Sequence, residues 1–559
     1  MAISESMPTD EAIEIRVKDV GVFTIQPGIT AAEFVTGLKD RVPYQVTAVI
    51  IDNGLKDLHH VMDHSCSLEL VDVSSEIGAR IYRRTALFMM LKACHDLFPK
   101  RKLMVKHSLS NGLYCEFLDG EAKAEQVSAI ERLMKAMATS DLPINKMVVS
   151  KEEAHHIFHR QGQLERVKLF EYRDKEHVHI HEMDGYYEYF YDPMVDHTGA
   201  CAQFKLLEYP PGLILQTPEI ETPGEILPWI ELPKLFTIYA EAKDWAEMMD
   251  IRTVAALNDI IKNGDIGDLI RINEALHEKK IAWIADQICS NPRIRVVLIA
   301  GPSSSGKTTF AQRLLIQLRV NGRKPVSISL DNYFKDREAT PRDENGNYAF
   351  EDLEALKLDL FNNHLNKLIA GEETEIPVYN FKTGTTEPFG VFTKVPRGEP
   401  IIIEGIHGLN EQLTWKVPKV QKYKIFVSAL TQVNIDYSNR IPTTEARLVR
   451  RIIRDERTRG YGAQATIKQW PVVRKGEEEN IFPFQENADV MFNSSLVYEL
   501  AVLKTMAEPL LEVIGPEYPE HVQASRNYKF FSYLRSVSPD LVPQNSILRE
   551  FIGGSCFKV

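Results

Sequence analysis

A glycine-rich segment at residues 301–309, GPSSSGKTT, has the composition and spacing of a phosphate-binding loop. It fits GxxxxGK[ST], a pattern in which glycines let backbone amides approach phosphate oxygens and a lysine adds positive charge. We expect Lys307 to contact phosphates and the Thr308 hydroxyl to bind Mg²⁺. An ordinary flexible Gly/Ser turn is the alternative, which the flanking apolar segments disfavour. The nucleotide-binding residues predicted from the motif are Gly301, Ser303, Ser304, Ser305, Gly306, Lys307, Thr308 and Thr309.

Two carboxylates follow short apolar segments nearby. PVSISL at 325–330 precedes Asp331, and the run III at 401–403 precedes Glu404. Ligands of open α/β sheets bind at the carboxyl ends of strands, so Asp331 is a candidate for accepting a proton from a substrate hydroxyl and for helping to hold Mg²⁺. Glu404 is a candidate for orienting the metal and its water shell. A helix cap is the alternative role for Asp331.

An arginine-rich segment, RLVRRIIRDERTRG at 447–460, predicts a helix with a cationic face. Guanidinium groups suit phosphate oxygens because of their fork of donors, so the face could close over phosphates. The alternative is a solvated or ion-paired face that uses Glu445, Asp455 and Glu456. The arginines at helical spacing are Arg447, Arg450, Arg451 and Arg454, followed by Arg457 and Arg459.

The elements that must position these groups alternate between strand and helix from residue 294 onward. This alternation predicts an α/β fold with a doubly wound, mostly parallel sheet. Residues 12–73 alternate short apolar runs with turns, which indicates a small mixed α/β module. Helical and strand-like segments up to about residue 209 indicate an α+β domain.

The length of 559 residues predicts several domains. Six prolines between residues 210 and 233 indicate a boundary or rigid connector. The predicted units are 1–75, 76–209, a Pro-rich connector with helices at 210–291, 292–515 and a C-terminal tail at 516–559.

Charge and composition restrict the functional classes. The net charge of −12 argues against a surface devoted to nucleic acid or anionic membrane. No run of 18 apolar residues and no signal-like start is present, and the six cysteines form no CxxC pair. We therefore expect a cytoplasmic protein without a membrane partner.

The C-terminal motifs together resemble the uridine kinase branch of the phosphoribulokinase/uridine kinase family over about residues 292–510. The matching segments, in order, are GPSSSGKTT, SLDNYF, PVYNF at 377–381, IIIEG and RLVRRIIRDERTRG. The resemblance implies ATP- and Mg²⁺-dependent phosphorylation of a nucleoside 5′-hydroxyl, with Asp331 as base and Lys307 and Arg454 assisting. It also implies that Arg451, Arg454 and Arg459 form a lid over phosphates and substrate.

The expected nucleoside site departs from the family pattern. The family's ribose-binding Asp after Phe is replaced by Phe350-Glu351-Asp352, so the ribose contact could fall on either carboxylate. Two polar base contacts of the family fall on Gly384 and Tyr461, so pyrimidine selectivity is not expected to follow automatically. The substrate-binding residues predicted from the resemblance are Phe334, Phe350, Glu351, Tyr379, Phe381, Arg451, Arg459 and Gln469.

The N-terminal half resembles threonyl-tRNA synthetases, with a TGS domain of β-grasp fold at about 13–73 and an editing-type domain at about 78–209. Alignment places Arg84 and Phe88 at the two His positions of the family's HxxxH, and Phe190 and Met194 at the Cys and His of its CxxxH. These side chains neither bind zinc nor activate water, so we expect no aminoacyl-ester hydrolysis.

The sequence therefore predicts a nucleoside kinase whose N-terminal domains are regulatory or bind an RNA or protein partner, and we expect a homo-oligomer. The alternatives are a kinase of another small hydroxylated metabolite and a nucleotide-sensing regulator associated with RNA or the ribosome. One further cluster, His177, His179 and His181, alternates along a predicted strand and could bind a metal or be surface histidines.

Overall fold

The computed structural model of the protein describes residues 12–38, 41–173, 175–344, 346 and 348–558. Within these residues the chain folds into mixed α/β structure, with a parallel sheet in the C-terminal half. No helix of the described residues is both long and apolar enough to span a lipid bilayer.

The first unit is one five-stranded sheet covered by a short helix. Alternating burial along IEIRV turns Ile15 and Val17 into the core, where they meet Phe34 of the helix. The elements are β1 (Ile13–Val17), β2 (Gly21–Ile25), α1 (Ala31–Thr36), β3 (Val46–Ile51), β4 (Gly54–Lys56) and β5 (Cys66–Asp72). The strand order is β2-β1-β5-β3-β4, with β1 and β5 parallel. This is the expected small α/β module, and its assignment as a TGS domain stays a prediction.

The second unit contains a long buried helix and two antiparallel sheets. Its elements are α2 (Glu76–Leu97), β6 (Leu103–Leu109), β7 (Gly112–Phe117), α3 (Ala124–Ser140), β8 (Asn145–Ser150), α4 (Lys151–Arg160), α5 (Leu164–Glu171), β9 (His177–Met183), β10 (Tyr186–Glu188), β11 (Lys205–Tyr209) and β12 (Gly212–Gln216). The sheets have the orders β11-β12-β7-β6 and β10-β9-β8.

The structure extends the second unit beyond the predicted boundary at residue 209. Strand β12 pairs with both β11 and β7, so residues 212–216 belong to the sheet and not to a connector. The prolines precede and follow this strand, and GLILQ itself contains none, which is why it can form both ladders. Three helices then lead to the C-terminal half: α6 (Pro233–Met248), α7 (Val254–Asn263) and α8 (Ile266–Ser290).

The C-terminal half is built on a five-stranded parallel sheet. The strands of this half are β13 (Val296–Ala300), β14 (Val326–Ser329), β15 (Thr374–Ile376), β16 (Tyr379–Asn380), β17 (Thr385–Thr386), β18 (Val391–Thr393), β19 (Ile401–Glu404), β20 (Lys422–Ser428) and β21 (Val490–Asn493). Of these, β15 pairs with β18 and β16 with β17 in two small antiparallel sheets outside the main one. Its helices are α9 (Lys307–Val320), α10 (Leu358–Ala370), α11 (Thr443–Thr458), α12 (Ala463–Asn480), α13 (Glu499–Glu512), α14 (His521–Phe531) and α15 (Arg549–Ile552). The sheet order β14-β19-β13-β20-β21 places the buried β13 at the centre, as the predicted α/β fold class requires.

Candidate active site

The glycine-rich loop joins the central strand β13 to helix α9. A Cβ at position 301 would lie 1.9 Å from the carbonyl oxygen of Val427, so this position has room only for glycine. Gly306 has a φ of +84°, and a Cβ there would lie 2.5 Å from Ile547 Cγ2. Both glycines therefore allow the backbone to pass close to its neighbours and enter the helix.

The loop carries the donors that a phosphate group needs. The amides of Gly306, Lys307 and Thr308 donate no hydrogen bond to another described residue, as expected at a helix N-terminus. The hydroxyls of Ser304 and Ser305 are buried and have no partner among the described residues. These unpaired donors at the positive end of α9 fit the phosphates of a nucleotide.

Two carboxylates from distant parts of the chain bind the remaining loop donors. The Ser303 amide donates to Glu477 Oε1 at 2.8 Å. Thr309 donates to Glu550 Oε2 twice, from its amide at 3.1 Å and from its hydroxyl at 2.9 Å. Neither carboxylate is predicted from the sequence, because no motif links it to the loop.

Lys307 and Asp331 lie at the carboxyl ends of the parallel strands, close enough for each charge to act on the other. Lys307 Nζ donates to the Pro302 carbonyl at 3.0 Å. Burial lowers the pKa of Lys307, and the negative charges of Glu404 and Asp331 oppose this shift. Burial raises the pKa of Asp331, which follows β14 directly, and the positive charges of Lys307, Arg459 and Arg454 oppose that shift. The structure thus brings Asp331 together with Lys307 and the arginines.

Glu404 ends the neighbouring strand and lies beside Asp331. Ser329, its register partner on β14, donates to Glu404 Oε1 at 2.6 Å. Burial and the charge of Asp331 raise the pKa of Glu404 to about 7. Two carboxylates and the hydroxyl of Thr308, at the start of α9, form an oxygen donor set of the kind that holds Mg²⁺ beside phosphates.

Two of the predicted phosphate-binding arginines are structural. Arg447 is buried and donates to both carboxylate oxygens of Glu477, at 2.5 and 2.7 Å, and to the Ser303 carbonyl at 3.0 Å. Arg450 is buried, pairs with Glu499 and donates to the Ser494 carbonyl at 3.0 Å. Both arginines support the loop from the protein interior, so the ion-paired alternative describes these two positions of the helix.

Three of the other arginines gather around one buried carboxylate, that of Asp455, whereas Arg457 donates to the Glu550 and Phe551 carbonyls. Arg451 Nε lies 3.3 Å, Arg454 Nη2 2.9 Å and Arg459 Nε 3.6 Å from its oxygens. Arg451 also donates to the Ser303 hydroxyl at 2.8 Å, which links the cluster to the loop. Asp455 thus holds three cations, and the charges of two of them, Arg454 and Arg459, act on Asp331.

The predicted aromatic walls form one cluster. Phe334 has ring centroids of Tyr379 at 5.8 Å, Phe350 at 6.3 Å and Phe381 at 6.3 Å. Phe381 is 42% exposed, and the Arg459 guanidinium lies 5.2 Å from its ring centroid. The cluster therefore borders the arginines and leaves one ring open for a planar ligand.

The three polar substrate residues lie in different surroundings. Burial raises the pKa of Glu351 to about 7, opposed by the positive charge of Arg451. The neighbouring Asp352 points to α12, where Asn480 donates to it at 3.0 Å. Gln469 is exposed on α12 and has no hydrogen bond to any residue that the structure describes. Glu351 is thus the carboxylate that faces the arginines, and the substrate contact of Gln469 stays a prediction.

The four replaced positions of the editing-type domain lie together in the N-terminal half. Phe88, Phe190 and Met194 are buried in one core, where the Phe88 and Phe190 rings lie 6.0 Å apart. Arg84 donates to the Pro193 carbonyl at 2.6 Å and to Asp192 at 3.1 Å. The positions are filled by apolar packing and an ion pair, as the residue types predict.

The three histidines share one face of β9 but differ in burial. His177 and His179 are exposed, whereas His181 is buried and burial lowers its pKa to about 3. Across the described part of the chain, no group of three or more His, Cys, Asp or Glu side chains is arranged to hold a metal ion.

Comparison with known proteins places relatives at both ends of the chain. The N-terminal region is homologous to threonine–tRNA ligases. That of Francisella tularensis subsp. novicida (strain U112) is 26% identical over 195 residues, or 35% of this chain and 31% of the ligase. The chain thus spans about a third of the length of the curated relatives it matches.

Solved structures also resemble the chain, with low overall superposition. A "possible uridine kinase" of Bacillus stearothermophilus is 19% identical and covers 38% of this chain and 98% of its own, with a TM-score of 0.27. The D-glycerate 3-kinase of Cryptococcus neoformans var. grubii is 15% identical and covers 45% and 87%, with a TM-score of 0.23.

The family model described as "Phosphoribulokinase / Uridine kinase family" matches residues 296–500, which contain the loop, both site carboxylates and the arginine helix. The match confirms the resemblance predicted from the ordered motifs. Residues 296–500 therefore form a domain of the phosphoribulokinase/uridine kinase family.

Proposed function

We propose that the protein is an ATP- and Mg²⁺-dependent kinase that phosphorylates the 5′-hydroxyl of a nucleoside. The observation that carries the proposal is the convergence of Asp331, Lys307 and Glu404 at the carboxyl ends of adjacent parallel strands. A site that only sensed a nucleotide would need no carboxylate to accept a proton from a second substrate.

Each group has a distinct role in the proposed reaction. Asp331 accepts the proton of the acceptor hydroxyl, and its raised pKa brings it closer to the range where a carboxylate can do so. Lys307 and Arg454 offset the negative charge that develops on the transferred group. Glu404 and Thr308 would hold Mg²⁺, which would neutralise negative charge on the phosphoryl group that ATP supplies.

The neighbouring residues support a nucleoside as acceptor. The aromatic cluster around Phe334 offers a flat apolar surface for a base, and Glu351 offers a carboxylate for sugar hydroxyls. A different small hydroxylated metabolite is the second candidate, because Gly384 and Tyr461 provide neither polar base contact of the family pattern. We propose that the N-terminal domains regulate the kinase or bind an RNA or protein partner. The homo-oligomer stays a prediction.

The test is phosphorylation by the full chain with ATP and Mg²⁺ across a panel of acceptors. The panel contains the common nucleosides, a sugar phosphate, pantothenate and glycerate. We expect transfer to at least one nucleoside in preference to the other classes. Preference for a sugar phosphate, pantothenate or glycerate would replace the nucleoside assignment, and absence of transfer to every acceptor would contradict the kinase assignment.

Asp331→Asn separates chemistry from binding. We expect turnover to fall by about 10²-fold or more, with ATP affinity largely retained, because the amide keeps the shape but accepts no proton. Asp359→Asn is the matched control, since Asp359 is exposed in the first turn of α10. Unchanged turnover in Asp331→Asn would remove this residue from the mechanism.

A further inference from the structure

A cavity lies where three parts of the chain meet, and its lining residues are outside the phosphate loop. Strand β4 of the first unit, helix α2 of the second and helix α14 of the C-terminal half form its walls. Its volume is about 190 Å³. Typical small-molecule pockets are larger, at about 300–1,000 Å³. It therefore has room for a compact group and little more.

The lining of this junction cavity is strongly cationic. Two lysines, three arginines and one histidine line it together with a single carboxylate, that of Asp192. The basic residues are Lys56, Arg80, Arg84, His521, Arg526 and Lys529.

Carboxylates of the surrounding wall neutralise only the arginines. Asp192 accepts hydrogen bonds from Arg84 at 3.1 Å and from Arg526 at 3.0 Å. Glu445 pairs with Arg526 and lies 3.5 Å from Arg80, which also reaches Glu76 on its own helix at 3.2 Å.

The two lysines of the cavity have no carboxylate partner among the described residues. Both residues are exposed, and neither the Lys56 nor the Lys529 ammonium group forms a hydrogen bond or salt bridge with any residue that the structure describes. Burial lowers the pKa of Lys529, and the charge of Arg84 adds to this effect against the opposing charge of Asp192. Burial and the charge of Arg526 likewise lower the pKa of Arg80. Two exposed lysines thus stand beside three buried or half-buried arginines in the cavity wall, and an anion between these cations would relieve their mutual repulsion.

We propose that the junction cavity binds the phosphoryl group of a small molecule. Five formal positive charges face the three carboxylates of Asp192, Glu445 and Glu76, which leaves an excess that matches the charge of about −1.5 to −2 on a phosphate monoester. The arginines are already oriented by their carboxylates, and the lysines supply free donors.

The size and position of the cavity favour a small molecule over a nucleic acid. Its walls come from three units that enclose a compact space, whereas nucleic-acid binding uses extended basic surfaces that follow the backbone. The net charge of −12 also opposes a polyanion. The inference does not depend on the acceptor of the proposed kinase.

The test measures binding of inorganic pyrophosphate to the full chain by isothermal titration calorimetry. The test variant is Lys56→Gln/Lys529→Gln, and the matched control is Lys279→Gln, an exposed lysine of α8 outside the cavity. We expect the double variant to lose one pyrophosphate site or to bind there at least about tenfold more weakly, because two charged donors are removed. The control is expected to match the wild type.

Separate titrations with ATP distinguish this site from the phosphate loop. We expect equal ATP affinity at the loop in all three proteins, and equal thermal unfolding because neither lysine has a partner to lose. Identical pyrophosphate binding by wild type and double variant would overturn the proposal. So would a parallel loss of ATP and pyrophosphate binding, which would place both at the loop.

Competition identifies the source of the phosphoryl group. Displacement of pyrophosphate from the junction cavity by UMP or AMP would support a nucleotide, and displacement by inorganic phosphate alone would support a free anion; both agree with the proposal. Displacement by a single-stranded RNA of about 20 nucleotides, without displacement by either mononucleotide, would overturn the assignment to a small molecule.

Discussion

Glu550 provides the sharpest test of how the phosphate loop is held. Its carboxylate is buried and accepts two hydrogen bonds from Thr309, at the third position of α9. Phosphates of the proposed nucleotide are expected at the same helix end, where amides and the helix dipole attract negative charge. The carboxylate therefore competes with the nucleotide for the donors of Thr309.

The expected change in ATP affinity follows from these two hydrogen bonds. Hydrogen bonds to a charged group are worth about 1.5–3 kcal/mol each. In Glu550→Gln the side chain keeps its size and loses its charge, so the Thr309 donors become easier for a phosphate to take over. Loss of about 1.4 kcal/mol of this competition corresponds to tenfold tighter binding. We expect the variant to bind ATP at least about tenfold more tightly than the wild type.

The assay is equilibrium binding of ATP by calorimetry without an acceptor. Asp540→Asn is the control, because Asp540 is exposed in the same C-terminal segment and its side chain bonds to Ser538 alone among the described residues. Its ATP affinity should equal that of the wild type. Weaker ATP binding by Glu550→Gln would refute the reasoning and would mean that the carboxylate supports the loop in its binding conformation.

Three further predictions concern stability and the loop. Glu477→Gln should lower the free energy of unfolding of the kinase half by about 3–5 kcal/mol in urea denaturation, because the buried Arg447 loses its counter-charge; replacing Arg447 by Met in the same chain should recover part of the loss. Gly306→Ala should abolish most ATP binding in the same titration, because φ is +84° and the new Cβ has no space. Two neighbouring guanidinium groups outweigh the effect of burial and lower the pKa of Asp192 to about 2. The stability that this carboxylate adds is thus present above its ordinary pKa of 3.8 and is lost as pH falls towards 2, so the difference in melting temperature between wild type and Asp192→Asn should shrink below about pH 4.

The parts of the site that depend on local sequence could be predicted. The loop lies between strand and helix because its motif and flanking apolar segments are contiguous. Asp331 and Glu404 come together because β14 and β19, the strands that lead to them, are neighbours in the parallel sheet. The order of the strands in the sheet could not be predicted from the sequence. The helical spacing placed the arginines on one face.

The parts that depend on distant partners could not be predicted. Arg447 supports the loop from the protein interior because Glu477, 30 residues later, pairs with it there. Helical spacing alone cannot distinguish this role from that of Arg451, which donates to the Ser303 hydroxyl. Glu550 reaches Thr309 across 241 residues of chain with no motif to indicate it. The prolines on either side of β12 suggested a connector, because composition alone does not show that the residues between them pair with two strands.

Helix α11 connects the two candidate sites. Glu445, in its first turn, pairs with Arg526 beside the junction cavity, and Arg451 on the same helix donates to Ser303 of the phosphate loop. These two residues are separated by six positions, or about 9 Å along a helix that rises about 1.5 Å per residue. Because a helix of this length moves as a stiff rod, a change in the charge around Glu445 would act on the loop through contacts that are already formed. Arg80 of the N-terminal half lies 3.5 Å from Glu445. That half therefore already contacts the helix that supports the phosphate loop, and the regulation proposed for it would require no new interface.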